Sequence, residues 1–468
     1  MTEASPQRAN MGFIGAIVAV ATIGGFMFGY DSGVINGTQE GLESAFELSE
    51  LGTGVNVGAI LIGCAVGAFA AGRLADGIGR RNVMLIAAVL FILSALGTGA
   101  ADSSIVFVVA RFIGGLGVGA ASVLSPAYIS EVTPASTRGR LSSIQQVMII
   151  TGLTAAFFAN YFLAKWANGS TGEFWMGYPA WRWMFWMQLL PATIFLLSLL
   201  LIPESPRYLV SKGREAKAEE VLTRLFGSDV AAAKVVEIRD SLAKDHRPRL
   251  SDLKDEGGKI RPIVWTGIGL AVFQQLVGIN IVFYYGAVLW RSVGYTEADA
   301  LQTNIISGVV SIAACIVAIL VIDRLGRKPM LLIGSAGMAL TLGLMAIAFA
   351  TGTLGADGNL QMSKAMGVLA FTSAMAYAAL FNFSWGPVMW VMLGEMFPNQ
   401  IRGSGLAVAG FAQWMANFGI VVSFPWLLTN IGLPITYGFY AVSALVSFFF
   451  VRAMVRETRG RELEEMQG

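Results

Sequence analysis

The 468-residue chain is 55% hydrophobic and only 13% charged, with a mean hydropathy of +0.65. Water-soluble domains carry charge on roughly a quarter of their residues, so a soluble globular protein is excluded. A net charge of +2 gives no reason to expect a nucleic-acid partner.

The composition fits an all-α polytopic membrane protein. At about 20 apolar residues per crossing, twelve spans are predicted, beginning near residues 12, 53, 83, 104, 140, 182, 262, 301, 329, 365, 403 and 433. The first apolar run contains Ala19-Val20-Ala21, faintly like a cleavage site, but it continues to Asp31 with further spans behind it, so a retained first helix is expected. Asp31, in GGFMFGYDSGVING, is the one acid deep in a span. The loop after it carries Glu40, Glu43, Glu47 and Glu50 with no base.

The second and third spans are joined by Gly72-Arg73-Leu74-Ala75-Asp76-Gly77-Ile78-Gly79-Arg80-Arg81, and the fourth holds the one deep base, Arg111. A charge in lipid is expensive, so each of the two is expected to face a cavity or a partner. Asp31 lies about five residues from the end of its span and Arg111 about seven from the start of its own. At 1.5 Å per residue both sit roughly 7 to 10 Å below the same surface, so they can meet. The fourth span ends in Glu131-Val-Thr-Pro134-Ala-Ser-Thr-Arg138-Gly139, and the fifth carries Gln145 and Gln146.

Residues 203–261 form the only long polar stretch, where Leu209, Val210, Val221, Leu222, Leu225, Val236 and Ile238 recur among charges and predict short amphipathic helices. The chain is thereby divided into a bundle over 1–202, a linker over 203–261, and a second bundle with a short tail over 262–468. The seventh span holds Gln274, Gln275 and Asn280 around Gly278, where a break would let the amides converge. Asp323-Arg324-Leu325-Gly326-Arg327-Lys328 joins spans eight and nine, and Glu395-Met-Phe-Pro398-Asn-Gln-Ile-Arg402-Gly403 follows span ten. In span eleven Gln413 and Asn417, four apart, share a face. Cys64 and Cys315 sit in different halves, and the single histidine, His246, lies in the linker, so neither a disulfide nor a metal site is expected.

Both E-x-x-P-x-x-x-R-G segments, and both Arg-rich loops, fall at equivalent places in a six-span unit. Such repetition predicts a six-plus-six transporter with its site between the halves. With the N-terminus inside, about 27 of the 32 Lys and Arg fall on cytoplasmic segments, so both termini are expected in the cytoplasm of a multi-pass plasma-membrane protein.

The inner loops resemble those of the major facilitator superfamily. Pro203-Glu204-Ser205-Pro206-Arg207, Phe273-Gln274-Gln275-Leu276-Val277-Gly278-Ile279-Asn280, Ser384-Trp385-Gly386-Pro387-Val388-Met389-Trp390 and Glu457-Thr458-Arg459-Gly460 resemble its sugar porter branch, notably bacterial proton-coupled symporters. Arg456 stands where that family usually has Pro, and Ser311 where relatives often have Asn.

The resemblance implies a bacterial inner-membrane importer of a monosaccharide with a proton, acting as a monomer by alternating access, with no cofactor beyond the proton. It assigns sugar contacts to Gln146, Gln274, Gln275, Asn280, Trp390, Gln413, Trp414 and Asn417, and an outer gate to Tyr284 and Tyr285. The chemistry agrees: a neutral polyol needs groups that donate and accept without net charge, which amides supply, and indole faces suit its C–H surfaces. In that family, proton-coupled members tend to carry Asp in the FGYD motif and facilitative animal members Asn. Asp31 and Arg111 are therefore expected to couple the proton. A guanidinium favours the ionised carboxylate and burial the neutral acid, a balance that a rearrangement can tip.

Arg73, Asp76, Arg80, Glu131, Arg138, Arg327, Glu395 and Arg402, with Glu204 and Arg207 of the linker, are expected to form an inner gate of ion pairs across the seam. At about 0 to 1 kcal/mol per exposed pair, such a latch opens readily. Competing readings are a facilitative uniporter, an inositol symporter, a drug/proton antiporter with a less amide-rich cavity, and a sugar sensor. An enzyme is not expected, because the spans hold no catalytic constellation.

Overall fold

The computed structural model describes residues 9–134, 138–244, 250–255, 257–355, 360–398 and 401–459. The side chain of Arg138, and His246, lie outside the described part. Among the described residues, twelve helices are long and apolar enough to cross a membrane. Six precede residue 203: Met11–Gly37, Glu50–Ile78, Arg80–Ala100, Ser104–Val132, Ile144–Trp166 and Ala180–Leu199. Six follow residue 261: Pro262–Ser292, Glu297–Leu325, Arg327–Ala350, Lys364–Met396, Arg402–Asn430 and Leu433–Met454. Helices prevail because hydrocarbon offers no partner for backbone N–H and C=O groups, which must be satisfied within the segment.

The helix ends repeat as the sequence does. Ser49, Ser103, Thr296 and Ser363 begin spans two, four, eight and ten, and each side-chain oxygen accepts a first-turn N–H, from Gly52, Val106, Asp299 and Met366. At the other end, Gly79 and Gly326 turn the chain between spans two and three and spans eight and nine with φ of +105° and +95°, a conformation L side chains rarely adopt. A Cβ there would also meet a carboxylate, of Glu204 and Glu457 respectively.

Pro206–Ser211, Glu215–Phe226 and Ser228–Lys244 are the linker helices. They bury Leu209, Val210, Leu222 and Leu225, as their spacing predicts, while Val236 stays exposed. Leu225 O accepts the Asn10 backbone N–H at 2.9 Å, so the linker packs under the start of the first span. This end of the bundle is the linker face.

Two spans are broken. The seventh is interrupted at Gly278, with φ +81°, between Pro262–Leu276 and Ile279–Ser292, the break its amide spacing predicts. The Val277 carbonyl accepts from the Tyr377 hydroxyl at 2.6 Å. The tenth is interrupted at Ser384, whose hydroxyl bonds the Leu380 carbonyl at 2.6 Å. The halves meet where span two lies along span eleven and span five along span eight.

Candidate functional site

Asp31 and Arg111 form a direct ion pair: Arg111 Nη1 lies 2.7 Å from Asp31 Oδ1 and 3.3 Å from the Asp31 carbonyl. Both side chains are 1% exposed. Burial of a charge is tolerated only with full pairing, yet Asp31 Oδ2 and Arg111 Nε have no hydrogen-bond partner. The Gln188 amide faces Asp31 from span six, and its Nε2 is also without a partner. One half of the carboxylate thus stays open beside a neutral amide. Gln188 escaped sequence reasoning because it lies at the end of a short polar-free run, with nothing nearby to mark it.

The amides of spans seven and eleven form one chain. Gln274 Nε2 donates to the Trp385 carbonyl at 3.0 Å, at the break of span ten. Gln274 Oε1 accepts from Gln275 Nε2 at 3.1 Å and from Gln413 Nε2 at 2.8 Å. Gln275 Oε1 in turn accepts from Asn280 Nδ2 at 2.5 Å across the Gly278 break. Gln413 Oε1 and Asn417 Oδ1 are buried without partners and so remain open to donors.

Trp414 is buried with its ring 5.7 Å from Phe28 across the seam, and Trp390 is 39% exposed. Gln146 is half-buried, whereas its neighbour Gln145 is buried with both amide atoms unpartnered. Ser311 is buried with its hydroxyl unpartnered.

Tyr284 links the two clusters: its hydroxyl lies against Ser32, next to Asp31, and against Asn417. Tyr285 packs on Phe424 with ring centroids 5.0 Å apart, and its hydroxyl donates to the Val421 carbonyl at 2.9 Å.

The face opposite the linker is shut by polar contacts between halves. Asn36 Nδ2 donates to the Phe283 carbonyl at 2.7 Å, and Asn36 Oδ1 accepts from Ala287 N and Asn304 Nδ2, both at 2.9 Å. Gln39 Nε2 donates to the Tyr284 carbonyl at 2.5 Å. Arg291 pairs with Glu40, Glu297 accepts from Ser170 N at 2.9 Å, and Glu50 accepts from Asn430 at 3.0 Å. Asn36 and Gln39 were legible only as polar residues at a span end, because their partners are backbone groups and, for Asn36, one further amide on a distant span.

On the linker face, the ion pairs described for Arg80 and Arg327 run within a half, where the sequence led us to expect pairs across the seam. Arg80 pairs with Asp76 at 2.9 Å and Glu131 at 3.2 Å, all within the first half. Arg327 pairs with Asp323 and Glu395, both at 2.9 Å, all within the second. The physical reason is the repeat itself: each E-x-x-P segment ends beside the Arg-rich loop of its own half.

A third repeated feature joins them. Glu204 Oε1 accepts from Arg81 N, and the Ser205 hydroxyl bonds Glu131; Glu457 accepts from Arg327 N and Lys328 N, and the Thr458 hydroxyl bonds Glu395. The signal was the Glu-Ser and Glu-Thr pairs after spans six and twelve. Burial works against the charge of Glu457, but backbone N–H groups of residues 327, 328, 458 and 459 hold its carboxyl below the ordinary glutamate value. Arg73 stacks on Phe69 with its guanidinium carbon 5.2 Å from the ring centroid. Arg207 and Arg402 line the same face at the start of a linker helix and of span eleven.

A family model described as "Sugar (and other) transporter" matches residues 17–468. The chain is 48% identical to the glucose transport protein of Synechocystis sp. over 99% of its length and 98% of that protein's. It is 37% identical to the D-xylose-proton symporter of Escherichia coli over 98% and 96%. Among solved structures it superimposes on the partially occluded inward-open form of the xylose transporter XylE from E. coli with a TM-score of 0.83, at 36% identity, over 96% of this chain and 100% of that one. XylE bound to 6-bromo-6-deoxy-D-glucose gives a TM-score of 0.79 at 37% identity, over 98% and 99%. Twelve spans, two repeated halves and a match over nearly the whole length agree, and the chain belongs to the sugar transporter family within the major facilitator superfamily.

Proposed function

We propose that the protein imports a monosaccharide together with a proton across the bacterial plasma membrane, with the linker face and both termini in the cytoplasm. The observation that carries this reading is the buried Asp31–Arg111 pair with one carboxylate oxygen left open. A proton arriving there removes the charge that holds Arg111 Nη1, while the Asp31 carbonyl keeps the guanidinium partly satisfied. Asn36 lies five residues further along the same helical segment, about 7.5 Å away at the α-helical rise. A shift of the first span at Asp31 therefore reaches the stitches to Phe283, Ala287 and Asn304 that shut the outer face.

The amide chain binds the sugar. Its open acceptors, Gln413 Oε1 and Asn417 Oδ1, suit sugar hydroxyls, with Gln146, Trp390 and Trp414 bounding the ring. Tyr284, between Ser32 and Asn417, lets the sugar site sense the proton site. The ion clusters of the linker face hold each half rigid while the halves rock. A hexose is the first substrate to try, given the 48% identity to a glucose transport protein against 37% to a xylose symporter.

Vesicle uptake of radiolabelled D-glucose, with unlabelled xylose, arabinose, galactose and inositol as competitors, tests the substrate. Addition of an uncoupler is expected to bring accumulation down to equilibrium; an unchanged plateau leaves a facilitative carrier instead. Gln275→Ala removes an amide that both donates and accepts. It is expected to raise KM by about ten- to a hundredfold, the scale of about 1.5 to 3 kcal/mol for a lost buried hydrogen-bond pair.

A further inference from the structure

Above the closed outer gate lies a cavity of about 280 Å³, on the seam between the halves. Its walls include Gln39, Glu43, Glu50 and Thr53 from the first half and Tyr285 and Phe424 from the second. No role in the transport cycle above uses it.

The chemistry of the two walls is unequal. Gln39 is 2% exposed with its Nε2 engaged by the Tyr284 carbonyl, so it forms the floor of the cavity; the acceptors that face inward are those of Thr53, Glu43 and Glu50. The Thr53 hydroxyl donates to Glu43 Oε1 at 3.1 Å, which leaves its own lone pairs to accept. Glu50 accepts from Asn430 through Oε2 alone. This side is thus a row of acceptors. The nearby cation, Arg291, is paired with Glu40 and does not line the cavity. The other side is mostly apolar, built from Val288, Phe424, Pro425 and Leu428 beside Tyr285 and Thr429.

A phosphate or carboxylate would be repelled here. A divalent cation would need more ligands, and no group of three metal-ligating side chains occurs among the described residues. A neutral molecule with several hydroxyl donors on one edge and a C–H face on the other fits both walls, and the volume is at the small end of ligand pockets, suited to a single ring.

We propose that this cavity is an outer vestibular monosaccharide site, occupied while the gate beneath it is shut. It rests on the reading of the chain as a sugar importer. A sugar held there is delivered when Gln39 releases the Tyr284 carbonyl, so the side chain that closes the gate is also the floor of the waiting site.

The test uses the full chain in right-side-out vesicles with Gln275→Ala to weaken the central site. Thr429→Cys, at the cavity wall, is labelled from outside with an impermeant maleimide; the native Cys64 and Cys315 are buried. D-glucose at twice its dissociation constant is expected to slow labelling about threefold. L-glucose is expected to have no effect, and the protection is expected to vanish on adding Glu43→Ala with Thr53→Val. Glu43→Gln, which keeps an acceptor oxygen, is expected to retain most of the protection and guards against misfolding of the double variant.

Protection that survives Glu43→Ala with Thr53→Val, or no protection by D-glucose at all, overturns the vestibular site. That failure is distinct from failure of the importer reading, which would appear as no uptake of D-glucose or of any of its competitors in vesicles carrying the native chain.

Discussion

Asp31→Asn is expected to abolish concentrative uptake while sugar exchange across the membrane continues. Asparagine keeps an acceptor for Arg111 Nη1, now 2.7 Å from Asp31 Oδ1, and leaves the carbonyl contact at 3.3 Å in place. What it removes is the site of protonation. One proton moved through about 100 mV supplies roughly 2.3 kcal/mol, enough for about fiftyfold accumulation of a neutral solute, and that factor is what the variant should lose. Counterflow needs only binding and rocking, so it should persist. Arg111→Ala is a harsher change, because an uncompensated buried carboxylate costs about 3 to 5 kcal/mol. Uptake of labelled sugar against its gradient, set beside counterflow in the same vesicles, decides the matter; undiminished accumulation by Asp31→Asn would sink the coupling role.

Gly54→Leu is expected to jam the outer face open. A Cβ on Gly54 would stand 2.3 Å from the Val422 carbonyl oxygen and 3.0 Å from its carbon and Cα, backbone atoms of the opposite half that cannot rotate away. Gly72, in the same span, has nothing within 4 Å of its Cβ position, so Gly72→Ala is the neutral control. Overpacking of this kind costs up to about 3 kcal/mol, which reduces the closed population roughly a hundredfold. Transport should fall by a similar factor. External sugar should still bind, and outer-seam cysteines should label faster from outside. A Gly54→Leu carrier that transports at the native rate would show that spans two and eleven need not touch during the cycle.

Much of the architecture was legible because lipid leaves few choices. Apolar runs of about 20 residues give the spans, and Gly278 among amides gives the break in the seventh. The Asp31–Arg111 pair was legible too, since matched depth and opposite charge leave little else for either group to do. The course of the ion pairs was not. Arg80 and Glu131, and Arg327 and Glu395, carry no mark in their spacing of whether they face their own half or the other. Gln188 and Asn36 stayed hidden for a different reason: each is a lone amide in its stretch of sequence, Gln188 facing a carboxylate on a distant span and Asn36 bonding two backbone groups and the distant Asn304, none of which its own neighbourhood marks.

Asn36 engages one donor and one acceptor atom with three groups on two helices of the other half. A side chain bound at several points cannot let go by degrees, because a partial rotation breaks the bonds to Phe283, Ala287 and Asn304 together. Release of this side chain is therefore all-or-none, and the rate of opening, rather than its width, is the quantity a change at residue 36 would tune.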